Sequence, residues 1–221
     1  MTTEHNPIIK FIYSHPYEAT LLHYGNLPVT QEHHALGRKQ THLLQELWNQ
    51  HEENILDLFR EMYKIEITET EIKAFVSLVL PNSFSYPLTI SLVQHPNLET
   101  DARSQRIALY PVLHELAHYF LYSRDNEFAN TILEHITLFD SPGANLHYLI
   151  QAVEFGIVGE IFGQEYGEFY RDKVIERGNN NDYDISAKRL KDDGVPVNRT
   201  CLEYIAKEIV KLSDGEEKTS P

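Results

Sequence analysis

The chain has 221 residues and a formal charge of −14, with 33 acidic against 19 basic side chains. Its lysines and arginines form no cluster, which disfavours nucleic acid as a partner, because neutralising phosphates takes a basic footprint. One cysteine, Cys201, excludes an internal disulfide framework and fits a reducing compartment. No apolar run approaches the roughly 20 residues that span a bilayer, and no signal-peptide core follows Met1. The expectation is therefore a cytoplasmic protein with no membrane partner, one domain over residues 1–213 with a substantial core.

Residues 1–28 mix apolar side chains with Pro7, Pro16, Gly25 and Pro28 and show no helical period. They read as an irregular arm with a short strand at Ile8–Tyr13. Thr30 then has the character of an N-cap, and Leu43, Leu44, Leu47, Trp48, Ile55, Leu58, Phe59 and Met62 recur at helical spacings. This predicts one long amphipathic helix from about 31 to 63. Its charged face reads as solvated, and His33, His34, His42 and His51 read as surface residues.

Three β-prone pieces follow, at Lys64–Thr68, Ile72–Leu80 and Leu88–Gln94, rich in β-branched and large apolar residues. Pro87 suits a strand start or an edge, where an extended peptide could pair. A strand that only covers the core is the plainer alternative. From Thr100 the pattern is helical, with segments near 126–138, 144–162, 164–177, 184–192 and 197–212; Pro111 either kinks a helix or starts one. Asp214–Pro221 reads as a disordered polar tail. The fold class is α+β: mostly helical, with a small sheet of about three strands packed beside the helix that carries the motif described next.

That motif is His114-Glu115-Leu116-Ala117-His118, an H-E-x-x-H inside an apolar segment. Histidines at i and i+4 lie one turn apart on one helix face, so two imidazoles can reach one ion at roughly 2.0–2.1 Å. The intervening Glu115 is placed to act as a base on a water. Twelve histidines raise the chance of a coincidental match, and core histidines satisfied by hydrogen bonds are the competing reading. Against it stand Val112, Leu113, Leu116, Ala117, Phe120 and Leu121, which make this a buried helix in which two histidines and a glutamate need a partner.

A catalytic metal usually has three protein ligands and one open position. His147, Gln151 and Glu154 share one face of the apolar segment 144–162. Glu154 is the first candidate for third ligand and His147 the alternative, with Gln151 as a hydrogen-bonding support behind the ligands. Glu134 and His135 are outside candidates. A helix interface bridged by ordinary hydrogen bonds would use the same residues.

His114-Glu115-x-x-His118, preceded by a small sheet and followed by a helix bearing a glutamate in Val153-Glu154-Phe155-Gly156, resembles the zincin metallopeptidases, in particular the gluzincin group. The likeness covers roughly residues 70–165, and the five-residue motif is its specific part. The resemblance implies zinc held by His114 and His118, Glu115 as general base, a downstream glutamate as third ligand, and a peptide or protein as substrate. The gluzincin pattern of Asn-Glu with a following Asp is missing from that downstream helix. The proton donor is left open among Tyr148, Tyr166, Tyr170 and His135. Val153-Glu154-Phe155-Gly156 also resembles the iron-ligand segment of the aromatic amino acid hydroxylases, which implies a non-heme iron(II) oxygenase with a 2-His-1-carboxylate site as a second reading. That family's histidine pair is one residue further apart. A third is a catalytically inactive zincin fold kept as a binding protein.

Overall fold

A computed structural model describes residues 8–25, 27–28, 30–93, 98, 102–122, 126–177 and 181–213. Among them are nine helices and four short strands, a mostly helical α+β chain. The expected tail at 214–221, the first seven residues of the arm, Gln94 and Asp101 lie outside the described residues. The chain divides into two units, residues 1–56 with 67–119 and residues 57–66 with 120–221.

The first unit holds a sheet made of β1 (Ile8–Tyr13), β2 (Glu71–Ser77), β3 (Phe84–Ser85) and β4 (Leu88–Ser91) in the order β1-β2-β4-β3. β1 and β4 both run parallel to β2, and β3 is antiparallel to β4. Ile72, Ala74 and Val76 are buried while Glu71 and Lys73 are exposed, the period-2 pattern of a strand with one covered face. The register sets Ile9 against Ile72 and Phe11 against Ala74, so β1 adds its buried residues to the same face. β4 is paired on both sides, which corrects the reading of an edge strand open to a peptide: the hairpin from Phe84 covers it. The segment at Lys64–Thr68 does not join the sheet. Lys64 turns the chain at a positive φ of 55°, and the residues after it bury Ile65 and Ile67 without strand pairing.

The arm contains a helix that the sequence reading missed, α1 (His15–Tyr24). Ser14 caps it by accepting from the Tyr17 N–H, and Pro16 occupies its first turn, where a missing N–H costs nothing. The expected long helix is two, α2 (Gln31–Asn49) and α3 (Glu52–Tyr63), with a short turn between them that leaves the apolar phase unbroken. The turn lets Glu52 accept from the Ile9 N–H at 2.7 Å and from Trp48 Nε1 at 2.9 Å. Gln45 takes the Phe11 N–H and donates to the Ile9 carbonyl. Side chains thus close the outer edge of β1, which would otherwise invite another strand. Trp48 is fully buried against Phe11, ring centroids 6.0 Å apart; removing such an aromatic side chain costs about 3–5 kcal/mol.

β1, α1 and α2 also meet at a histidine cluster. His34 was expected at the surface but is buried, because α2's inward stripe continues past Trp48, Leu44 and Thr41 to Gly37 and His34. His34 Nδ1 meets the Tyr13 hydroxyl at 2.6 Å, and its ring lies 3.6 Å from that of His15. Tyr13 reaches it by crossing Gly37, where a Cβ would stand 2.1 Å from the tyrosine ring. Beside them Glu18, wholly buried, accepts from Ser77 Oγ, the Leu78 N–H and His33 Nε2.

The second unit is helical. It includes α5 (Glu127–His135), α6 (Pro142–Phe162), α7 (Gln164–Arg177), α8 (Asp182–Asp192) and α9 (Cys201–Ser213). α6 is buried on all sides from Tyr148 to Gly159, as a central helix must be when α5, α7, α8 and α9 all pack on it. Cys201 is fully buried at the start of α9, and burial pushes its thiol up to about 12.

Candidate metal centre

The H-E-x-x-H motif lies on α4 (Ala102–Leu121), a continuous helix with Pro111 inside it. Val112, Leu113, Leu116 and Ala117 are fully buried, whereas His114 and His118 keep partial exposure one turn apart. Their ring centroids are 4.8 Å apart with planes at 78°. Glu115, between them, is 8% exposed. Beside His118, the Tyr119 hydroxyl lies 3.5 Å from Glu69 Oε1; burial first and then the Glu69 carboxylate hold this phenol above its ordinary range.

His147, Gln151 and Glu154 come from α6 and stand in three different environments. Ser141 caps this helix by accepting from the Ala144 N–H, and Pro142 occupies its first turn. One turn in, His147 Nδ1 lies 2.9 Å from the Gly143 carbonyl oxygen. A carbonyl only accepts, so Nδ1 carries the proton, and a ligand bond from this ring would be made by Nε2. Gln151 is buried and donates from Nε2 to the Tyr183 carbonyl at 2.9 Å. Glu154 is wholly buried; its Oε1 accepts from the Tyr170 hydroxyl at 2.5 Å and its Oε2 from the Tyr183 hydroxyl at 3.1 Å. Burial first, then the neighbouring Glu154 charge, drives both phenols well above their ordinary range, so they stay protonated as donors to the carboxylate.

Among the described His, Cys, Asp and Glu side chains, His114, His118 and His147 form the group whose ligand atoms all lie within 4.8 Å of one another. Glu154, Glu134 and His135 are not part of that group. Glu134 and His135 are exposed, with His135 Nδ1 bonded to the Thr131 carbonyl. Of the tyrosines considered as proton donors, Tyr148 donates to Asp193 Oδ2, Tyr170 to Glu154, and Tyr166 lies edge-on to Phe162 and at a tilt to Phe169. Nothing in the sequence singles out Tyr183, which follows a polar run and lies on another helix. Its ring stands edge-on to His147 at 5.8 Å.

The donor chemistry of the three histidines fits a borderline transition metal. Three neutral imidazoles with one open position is an established catalytic zinc set, and leaves the ion its full charge. No protein-family model matches the chain, and no curated protein or solved structure matches it either. No described helix is long and apolar enough to cross a membrane.

Proposed function

We propose that the chain is a zinc-dependent hydrolase acting on peptide bonds, with His114, His118 and His147 as the metal ligands and Glu115 as the general base. The observation that carries this reading is the convergence of three imidazole nitrogens within 4.8 Å, two of them from an H-E-x-x-H helix. Bound zinc supplies Lewis acidity, polarising a carbonyl and lowering the pKa of water to about 7. Glu115 takes the proton of the attacking water and delivers it to the leaving nitrogen, and its low exposure keeps bulk solvent from competing for that proton. His147 takes the place first considered for Glu154. The Gly143 carbonyl fixes the tautomer of His147, whereas the Glu154 oxygens are occupied by tyrosine hydroxyls. An iron(II) site with two histidines and a carboxylate is less well supported, because the converging group is all imidazole. The peptide as substrate rests on the resemblance to zincins.

The test is elemental analysis after dialysis against metal-free buffer, followed by assay on a peptide library. The wild type should hold about one zinc per chain, and His118→Ala and His147→Ala should hold little. Glu115→Gln should keep the metal and lose turnover. A folded wild type without metal, or full hydrolysis by Glu115→Gln, would overturn the proposal.

A further inference from the structure

Around His147 the chain builds a cradle that sequence spacing does not foreshadow. The start of α8 is tied to α6 and its N-cap at four places. Ser141 Oγ donates to Asp182 Oδ2 at 2.9 Å, and Gln151 Nε2 holds the Tyr183 carbonyl. Ser186 Oγ donates to the Ala144 carbonyl at 2.7 Å, and the Tyr183 hydroxyl donates to Glu154. Gly143 makes room for this attachment: a Cβ there would lie 2.2 Å from Asp182 Oδ2. The same glycine's carbonyl accepts from His147 Nδ1. His147 is therefore held at one ring atom by α6 and flanked on an edge by the Tyr183 ring from α8.

We propose that Glu154 and Tyr183 are positioning residues of the metal centre: Glu154 anchors the Tyr183 hydroxyl, and the anchored ring fixes the plane of His147 so that Nε2 points at the ion. This rests on the reading of His147 as a ligand. A carboxylate two turns along α6 thus acts on the metal through a tyrosine, the role that outer partners play for ligating histidines. Tyr170 steadies the other oxygen of the same carboxylate, which leaves Glu154 one orientation to offer Tyr183.

Zinc affinity of the full chain, measured by competition with a chromogenic chelator, separates the possibilities when paired with the visible spectrum of the cobalt(II)-loaded protein. Tyr183→Leu, which removes the ring, should weaken zinc binding about 10–100-fold and shift the cobalt bands. Tyr183→Phe, which keeps the ring and loses the hydroxyl, should recover part of both, and Glu154→Gln should resemble Tyr183→Phe. Tyr204→Phe loses a hydroxyl bond to the Asp193 carbonyl elsewhere in this unit. It should lower stability while leaving affinity and spectrum as in the wild type. Wild-type affinity and spectrum in Tyr183→Leu would overturn the proposal. So would loss of metal in Glu154→Gln as complete as in His118→Ala, which would make Glu154 a ligand. Zinc binding unaffected by His118→Ala would remove the metal centre itself, and this inference with it.

Discussion

Two groups of histidines in this chain differ in what surrounds their ring nitrogens. Around His34, neighbouring rings stack or lie edge-on, the Tyr13 hydroxyl takes one nitrogen, and the nearby carboxylate of Glu18 is filled by protein donors. His34 Nε2 is buried without a hydrogen-bond partner among the described residues. The His15 and His34 rings overlap at a tilt of 34°, and among the described residues this cluster does not bring three ligand atoms together. The ligand atoms of His114, His118 and His147 lie within 4.8 Å of one another, and all three residues are partly exposed. The first group is tied into the fold by protein partners, and the second is the one proposed to hold a metal. Counting histidines does not distinguish them; how closely their ligand atoms gather does.

The sharpest way to break that contrast is to empty the brace. Glu18→Ala leaves Ser77 Oγ, the Leu78 N–H and His33 without their acceptor. At about 1–3 kcal/mol for each abandoned polar group, it should cost about 3 kcal/mol in urea unfolding. Its zinc content should stay at the wild-type level, and a loss of metal without a loss of stability would reverse the two assignments. Next in size is the metal itself. At a free zinc concentration a hundred times the dissociation constant, the ion should stabilise the fold by about 2.7 kcal/mol. That increment should vanish with chelator and be missing in His114→Ala. Gly37→Ala pushes a methyl group into the Tyr13 ring and should cost about 1–3 kcal/mol, again with unchanged zinc content.

The smallest effect is on pH dependence. Burial first, then the His15, His33 and Arg38 charges, lower the His34 pKa against a weaker opposing pull from Glu18. The unfolded chain therefore binds a proton more readily than the folded one. The stability tied to neutral His34 is complete above pH 6.5 and is lost as pH falls from there through the folded pKa. Thermal unfolding between pH 7 and 5 should show a shallower decline in His34→Gln than in the wild type. Equal slopes would remove His34 from the acid response.

The i, i+4 histidines of the candidate site were legible in the sequence because that spacing has one geometric meaning on a helix. The shared face of His147, Gln151 and Glu154 was legible for the same reason. Which of the three groups with His114 and His118 was not, since Tyr170 and Tyr183, which occupy Glu154, arrive from α7 and α8. The missed helix α1 follows from reading Pro16 as a breaker, although Ser14 before it is a good cap. His34 was misplaced because polar and small residues on α2, among them Gly37 and Thr41, hid the inward stripe that Trp48 and Leu44 announce. Lys64–Thr68 has strand composition but spends its apolar side chains in the core without pairing. Local propensity carries no term for that choice.

Cys201 gives this protein an internal clock. With a single thiol in the chain, wholly buried and held almost entirely in its unreactive protonated form, alkylating reagents can modify it only while the start of α9 has swung open. The labelling rate at fixed pH therefore counts those openings directly, at one address, without any probe having to be engineered in.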